Sequence, residues 1–266
     1  MIYSYSQINQ YLSCPRAYRY RYLEGWKEKD TRANLVFGRA FEQALSAYYR
    51  GEDCGQCLHD EWAQFRGSEL EYSRGDTWDS MFTQGIQLLE RFCQEDRVRI
   101  SHPESHLQAR VSRHLSAGSE FLSYIDAIGE IDGTQSIIEW KTTSARYAEE
   151  PAGLLVLDPQ LLCYSWMTGI SEVAMVVFVR KRCPEVQYLR TTISDAQREQ
   201  YGALVQDTIA QIESARFLPH SGIRFPNNTC VSCPFIGLCL CKQDLISAKL
   251  VQGRGAELDW IDQLDC

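Results

Sequence analysis

Apolar positions follow two rhythms along this chain. Three- and four-residue spacing marks helices, and β-branched runs or strict alternation mark strands. Ser4–Leu23 has the helical spacing, with Ser6 as a candidate N-cap and Ile8, Tyr11 and Leu12 as its stripe. Cys14-Pro15 interrupts it, as a kink or as two short helices. Leu35–Arg50 reads as a second helix. Leu58–Gln94 is mostly helical with a break near Tyr72–Asp76, and its Trp62, Phe65, Trp78, Phe82 and Phe92 read as core. Strands begin at Leu107–Leu115. Phe121–Glu130 and Gln135–Thr142 then form a hairpin across the Asp132–Thr134 turn. Asp158-Pro159 opens a helix that stops at Gly169. Glu172–Arg180 is a buried strand with Val186–Thr192 as its partner, and Ser194 caps a long helix to about Ala215. This order predicts an α/β fold, a mixed central sheet flanked by helices.

Five segments follow from that reading. Residues 1–53 hold the N-terminal helices, 54–99 a helical insertion, 100–218 the α/β core, 219–245 a cysteine-rich segment, and 246–266 an acidic tail, a short helix or a disordered end. The 266 residues are 44% hydrophobic, enough for a full core. No run of 18 apolar residues and no signal-peptide pattern occurs, so a cytoplasmic protein without a membrane span is expected. The net charge of −8 argues against a broad DNA-coating surface but leaves room for a local groove. Residues 14–41 carry seven basic against three acidic residues, and Arg180-Lys181-Arg182 is a second basic cluster. Tyr11, Tyr18, Tyr20 and Tyr22 alternate with Arg16, Arg19 and Arg21. Most of these tyrosines read as core, and some of the arginines as nucleic-acid contacts.

The candidate chemistry lies in Ile137–Ser144, I-I-E-W-K-T-T-S. On a strand, Glu139 and Lys141 share one face and Trp140 points to the other. A carboxylate can hold a hard divalent cation, while the lysine steadies an attacking water or developing negative charge. Pairing across the hairpin can bring Asp126 near Glu139, on the same face if the register permits, and two carboxylates with a lysine are then enough for one or two Mg²⁺ or Mn²⁺ ions. Asp132 belongs to the turn instead. His102, His106 and His114 are further candidate ligands, each more simply a surface or strand residue.

The order D, then E-x-K one hairpin later, resembles the PD-(D/E)XK nuclease superfamily. Gln160 and Tyr164 fit the Q-x-x-x-Y element of its RecB-like branch, where that helix orients the lysine and binds DNA. Gly38–Glu42 resembles the G-x-x-x-H element, with Glu42 in place of the usual histidine; Ser123 stands where a glycine is common. The resemblance implies a restriction-endonuclease-like core. It also implies metal ligation by Glu42, Asp126, Glu139 and the Trp140 backbone carbonyl, and catalytic roles for Lys141, Gln160 and Tyr164. DNA contacts are expected from Arg16, Arg19, Arg39 and Tyr164.

Eleven cysteines occur. Cys93, Cys163 and Cys183 read as scattered buried thiols, and Cys54 and Cys57 as two thiols of a loop. Cys230, Cys233 and Cys239 form C-x2-C-x5-C, which can clamp zinc or an iron–sulfur cluster given a fourth ligand. Cys241 is near, and Cys14-Pro15 is the remote candidate. This resembles the iron–sulfur subgroup of RecB-like nucleases, seen in CRISPR-adaptation and AddB-type repair nucleases. The resemblance implies a [4Fe–4S] cluster on Cys14, Cys230, Cys233 and Cys239, joining the two ends of the chain. The function expected is a metal-dependent nuclease, an exonuclease on single-stranded DNA ends, in repair, recombination or CRISPR-type processing. A helicase or CRISPR-adaptation partner is expected on the same basis. Two rival readings stand beside it: a DNA-binding subunit that has lost turnover, and a zinc-stapled protein of unrelated function.

Overall fold

The computed structural model describes residues 1–115, 118–150, 153–219 and 228–253. The tail beyond Gly253 and the chain just before Asn228 lie outside the described residues.

A strand, β1 (Ile2–Ser4), opens the chain. The N-cap of α1 (Tyr5–Ser13) is Ser4 rather than Ser6. Ser4 is extended, and its hydroxyl accepts from the Gln7 N–H at 3.4 Å. Pro15 then starts a second short helix, α2 (Pro15–Tyr18), at a position where its missing N–H costs nothing. A π-turn over Arg19–Leu23 and two short strands, β2 (Trp26–Glu28) and β3 (Thr31–Arg32), lead to α3 (Ala33–Tyr49). Asp53 caps α4 (Cys54–Ala63) by accepting from the Gln56 N–H. Cys54 and Cys57 therefore lie at the start of a helix, and the loop expected there is absent. The short strand β4 (Leu70–Glu71) pairs with β3, and α5 (Trp78–Glu95) begins on a Thr77–Ser80 capping box.

The sheet is built from β5 (Val98–Arg99), β6 (Leu107–His114, after the turn-length helix α6, Pro103–His106), β7 (Glu120–Ile131) and β8 (Thr134–Thr143). After α7 (Pro159–Thr168) come β9 (Glu172–Val179) and β10 (Glu185–Thr192). With β1 it has seven strands in the order β1-β7-β8-β9-β10, and β5 and β6 also pair with β7. Pairing is mixed: β8–β9 and β1–β7 are parallel, the rest antiparallel. The predicted α/β architecture with a mixed sheet is the one observed.

One sheet face packs on α3, α4 and α5 through Phe37, Phe41, Trp62, Leu88, Phe92 and Phe178. The segment read as an insertion thus shares the hydrophobic core of the sheet. The other face packs on α1, α7 and α8 (Asp195–Glu213) through Ile8, Tyr11, Tyr18, Tyr164, Val177 and Val205. Tyr11 and Tyr18 are core residues, not base-stacking platforms. Each fully buried large side chain contributes about 1.5–3 kcal/mol. After α9 (Asn228–Val231), α10 (Ile236–Leu240) and α11 (Gln243–Lys249), the strand β11 (Leu250–Gln252) pairs antiparallel with β2 and ties the two chain ends together.

Candidate active site

The site forms where the sheet comes apart. β7 and β8 pair from the Asp132-Gly133 turn only as far as Ala127 opposite Ile138, shorter than the hairpin expected from the sequence. On its other edge β7 keeps pairing with β6 through residues 120–125 and at Ala127. β1 occupies the β8 edge only at Glu120–Leu122, so that edge of β7 is open at residues 123–126. Asp126 sits at the last position of this gap. Its carboxylate replaces the missing ladder, accepting from the Trp140 N–H at 2.9 Å. Opposite it on β6, Gln108 has φ +49°, so the distortion extends to the neighbouring strand.

The separation makes room for three carboxylates. Glu139 is 2% exposed. Glu42, from the middle of α3, lies within electrostatic reach of Asp126 and Glu139, and Asp126 within reach of Glu139. Burial pushes Glu42 up to about 7, with the Glu139 charge adding to it; burial and then Glu42 push Asp126 up to about 7. Glu139 is held well above the usual carboxylate range by burial and by Asp126. Like charges this close cannot all ionise without a cation. Glu42 Oε1 and Glu139 Oε2 are buried with no hydrogen-bond partner. Such orphaned carboxylate oxygens, all hard donors, fit a divalent cation of the Mg²⁺ or Mn²⁺ class. In the structure as it stands, no trio of His, Cys, Asp or Glu side chains among the described residues is drawn to metal-holding spacing.

Lys141 lies on the same face, ion-paired with Glu139. Burial alone lowers an ammonium pKa, but Glu139 and Asp126 outweigh it and keep Lys141 charged. Its Nζ also donates to Gln160 Oε1 at 2.9 Å, and Gln160 Nε2 donates to the Tyr164 hydroxyl at 2.7 Å. Asp158 accepts from the Gln160 and Leu161 N–H groups and fixes the start of α7. The Q-x-x-x-Y pair therefore forms a hydrogen-bonded rail that ends on the lysine, which is ion-paired to Glu139.

The profile of the PD-(D/E)XK nuclease superfamily matches residues 2–240. The chain belongs to that superfamily. No curated protein matches the sequence. Among solved structures, a provisionally named exonuclease from Eubacterium rectale is 12% identical, with a TM-score of 0.53 over 97% of this chain and 91% of that one. The likeness is one of fold. LHK-Exo in complex with dAMP is 14% identical over 68% of this chain and 92% of its own, with a TM-score of 0.33, too low to support an argument.

Two residues of this PD-(D/E)XK site escaped the sequence reading. Tyr5 and Asp158 both lie within electrostatic reach of Lys141. Tyr5 arrives there because β1 takes the edge that β8 vacates. A three-residue strand paired with residues 118 positions away leaves no periodic signal. Asp158 was legible as a cap but not as a neighbour of the lysine. Among the expected DNA contacts, Arg39 lies one turn from Glu42 and acts on its charge, Arg16 lies near Tyr20, and Arg19 pairs with Glu24 at 2.7 Å. His102 and His106 face each other 5.5 Å apart, and His114 ends β6 far from the Asp126 position.

The candidate cluster cysteines lie in one region, where the β2–β11 pairing joins the two ends, without reaching metal-holding spacing among the described residues. The Cys233 thiol is pushed up by burial and then by Cys14, Cys239 and Cys230. Cys14 and Cys233 pack beside Ala17, Phe235 and Leu250, and Cys239 contacts the Tyr20 hydroxyl at 4.0 Å.

Proposed function

We propose that this chain is a divalent-metal-dependent DNA nuclease of the RecB-like branch, an exonuclease acting on single-stranded ends. The observation that carries the proposal is the pair of orphaned carboxylate oxygens beside a lysine held by Gln160, which Tyr164 holds in turn. Glu42, Asp126 and Glu139 would hold the cation, with the Trp140 carbonyl alongside. A divalent ion bound there offsets charge on the scissile phosphate and makes water a better nucleophile near neutral pH. Lys141 orients that water or takes up charge developing on the phosphate, and Gln160 and Tyr164 hold it in place. Glu42 does not argue for lost turnover, since a carboxylate at that position adds a hard ligand.

The same reading assigns a [4Fe–4S] cluster to Cys14, Cys230, Cys233 and Cys239. What supports it is that Cys14, Cys230 and Cys239, from segments over 200 residues apart, all lie within electrostatic reach of Cys233, beside the β2–β11 pairing. Such a cluster would close a very long loop and act structurally. Repair, recombination or CRISPR-type processing, alone or with a helicase, is the setting this reading fits. No described helix is long and apolar enough to cross a membrane.

The test is cleavage of end-labelled single- and double-stranded DNA by anaerobically purified protein. Mg²⁺ and Mn²⁺ are supplied separately, with Lys141→Ala beside the wild type. Metal-dependent shortening from the ends of single strands, lost in the variant, is expected. Intact DNA with folded, brown protein would instead favour a DNA-binding subunit.

A further inference from the structure

The Arg180-Lys181-Arg182 run is not used by the chemistry above, and Arg180 is an unusual residue. It follows β9 directly, and its N–H donates to the Thr143 carbonyl at 2.6 Å, two residues past Lys141. Its side chain turns to the α3 face, with the guanidinium 5.2 Å above the Phe37 ring. It is 4% exposed, yet Nε and Nη1 have no hydrogen-bond partner. Nη2 donates to Asn34 Oδ1, in the first turn of α3, at 2.7 Å. The nearest carboxylate, Asp76, stands 3.5 Å from both terminal nitrogens, beyond the 2.7–2.9 Å of a charged hydrogen bond. A buried cation paired this loosely is costly unless a better anion completes it.

The first turn of α3 has a matching need. Its N-cap residue, Arg32, supplies no side-chain cap, so the positive end of a 17-residue helix is uncapped by any side chain. Asn34, Gly38 and Glu42 follow at four-residue steps along α3. Gly38 lies against Thr142 of β8, where an added Cβ would stand 3.5 Å from its hydroxyl. From Glu42 to Asn34 is about 12 Å along the helix, the axial length of three to four nucleotides of a B-form strand.

We infer that Arg180 and the N-terminus of α3 form a second phosphate site, which takes a backbone phosphate of the nucleic-acid strand about three to four nucleotides from the scissile one. Asp76, on the turn before α5, holds the place of that phosphate and yields it when the strand binds. The inference rests on the nuclease reading but uses none of its catalytic residues.

The test is fluorescence anisotropy of a fluorescein-labelled, ten-nucleotide oligothymidylate in EDTA across a NaCl series. Arg180→Gln is expected to weaken binding about tenfold and to reduce the log–log salt slope by about 0.7, the loss of one single-strand phosphate contact. Asp76→Asn, which frees the guanidinium, is expected to tighten binding about threefold. Asp79→Asn, an equal change of charge three residues away, should not. A folded Arg180→Gln with the wild-type slope overturns the inference. If Arg180→Gln does not fold, Asp76→Asn decides, and binding no tighter than that of Asp79→Asn overturns it. A wild type that ignores the oligonucleotide overturns the nuclease reading as well; binding with wild-type behaviour in both variants overturns this site alone.

Discussion

Gln160→Ala isolates the part of the site that positions without touching the phosphate. Lys141 Nζ has two partners, Glu139 and Gln160 Oε1, the latter at 2.9 Å. Removing a hydrogen bond to a charged group costs about 1.5–3 kcal/mol, or about a 13- to 160-fold loss if it is all expressed at the transition state. The loss should fall on kcat rather than KM, because in this reading Gln160 acts through Lys141. Tyr164→Phe removes a neutral bond one step further away, worth about 0.5–1.5 kcal/mol and about 2- to 13-fold. The tyrosine acts on Lys141 only through Gln160, so it should cost almost nothing once Gln160 is gone. Single-turnover cleavage at saturating Mg²⁺ reads all four corners of that cycle. A Tyr164→Phe penalty as large in the Gln160→Ala background as in the wild type would refute the rail, as would an unchanged rate in Gln160→Ala.

Three further outcomes follow from the packing and the charges. Gly202→Ala places a Cβ 2.5 Å from Trp166 Nε1, in the α7–α8 contact that seats the rail; a loss of about 1–3 kcal/mol in chemical denaturation is expected. Glu42 and Asp126 have folded pKa values raised to about 7, so the native state holds protons that the unfolded chain releases above about pH 4. These groups stabilise the metal-free protein most at low pH, and that contribution is lost as pH rises through 7. Melting in EDTA should therefore weaken from pH 5 to pH 8, and the gain in Tm from Mn²⁺ should be larger at pH 8. On the proposed cluster ligation, Cys233→Ala should lower Tm and cleavage together and remove an iron–sulfur absorbance near about 400 nm; native melting with a full rate would show the cysteines to be dispensable.

The chemistry was more legible than the packing that supports it. Glu139, Lys141, Gln160 and Tyr164 carry local spacing, and alternation or four-residue repeats put each pair on one face. The hairpin followed from the turn residues Asp132 and Gly133, both of which take positive φ, whereas its register stayed open. The early end of that hairpin was not legible, because nothing in the β-rich run Phe121–Ile128 signals that its edge is left open. Short strands were missed for the same reason: β1, β2 and β11 are three residues each, and their pairing is set by partners far along the chain. Cys54 and Cys57 misled because a C-x-x-C after Gly51 reads as a loop, whereas the Asp53 cap starts a helix there.

The proposed chemistry needs a cation held by Glu42, Asp126 and Glu139. The direct measurement is anomalous diffraction from crystals soaked in Mn²⁺ at pH 8, with Glu139→Gln crystals treated alike. The prediction is a manganese peak enclosed by the three carboxylates in the wild type and absent in the variant. An empty pocket in protein that cleaves DNA, or an equal peak in Glu139→Gln, would contradict it.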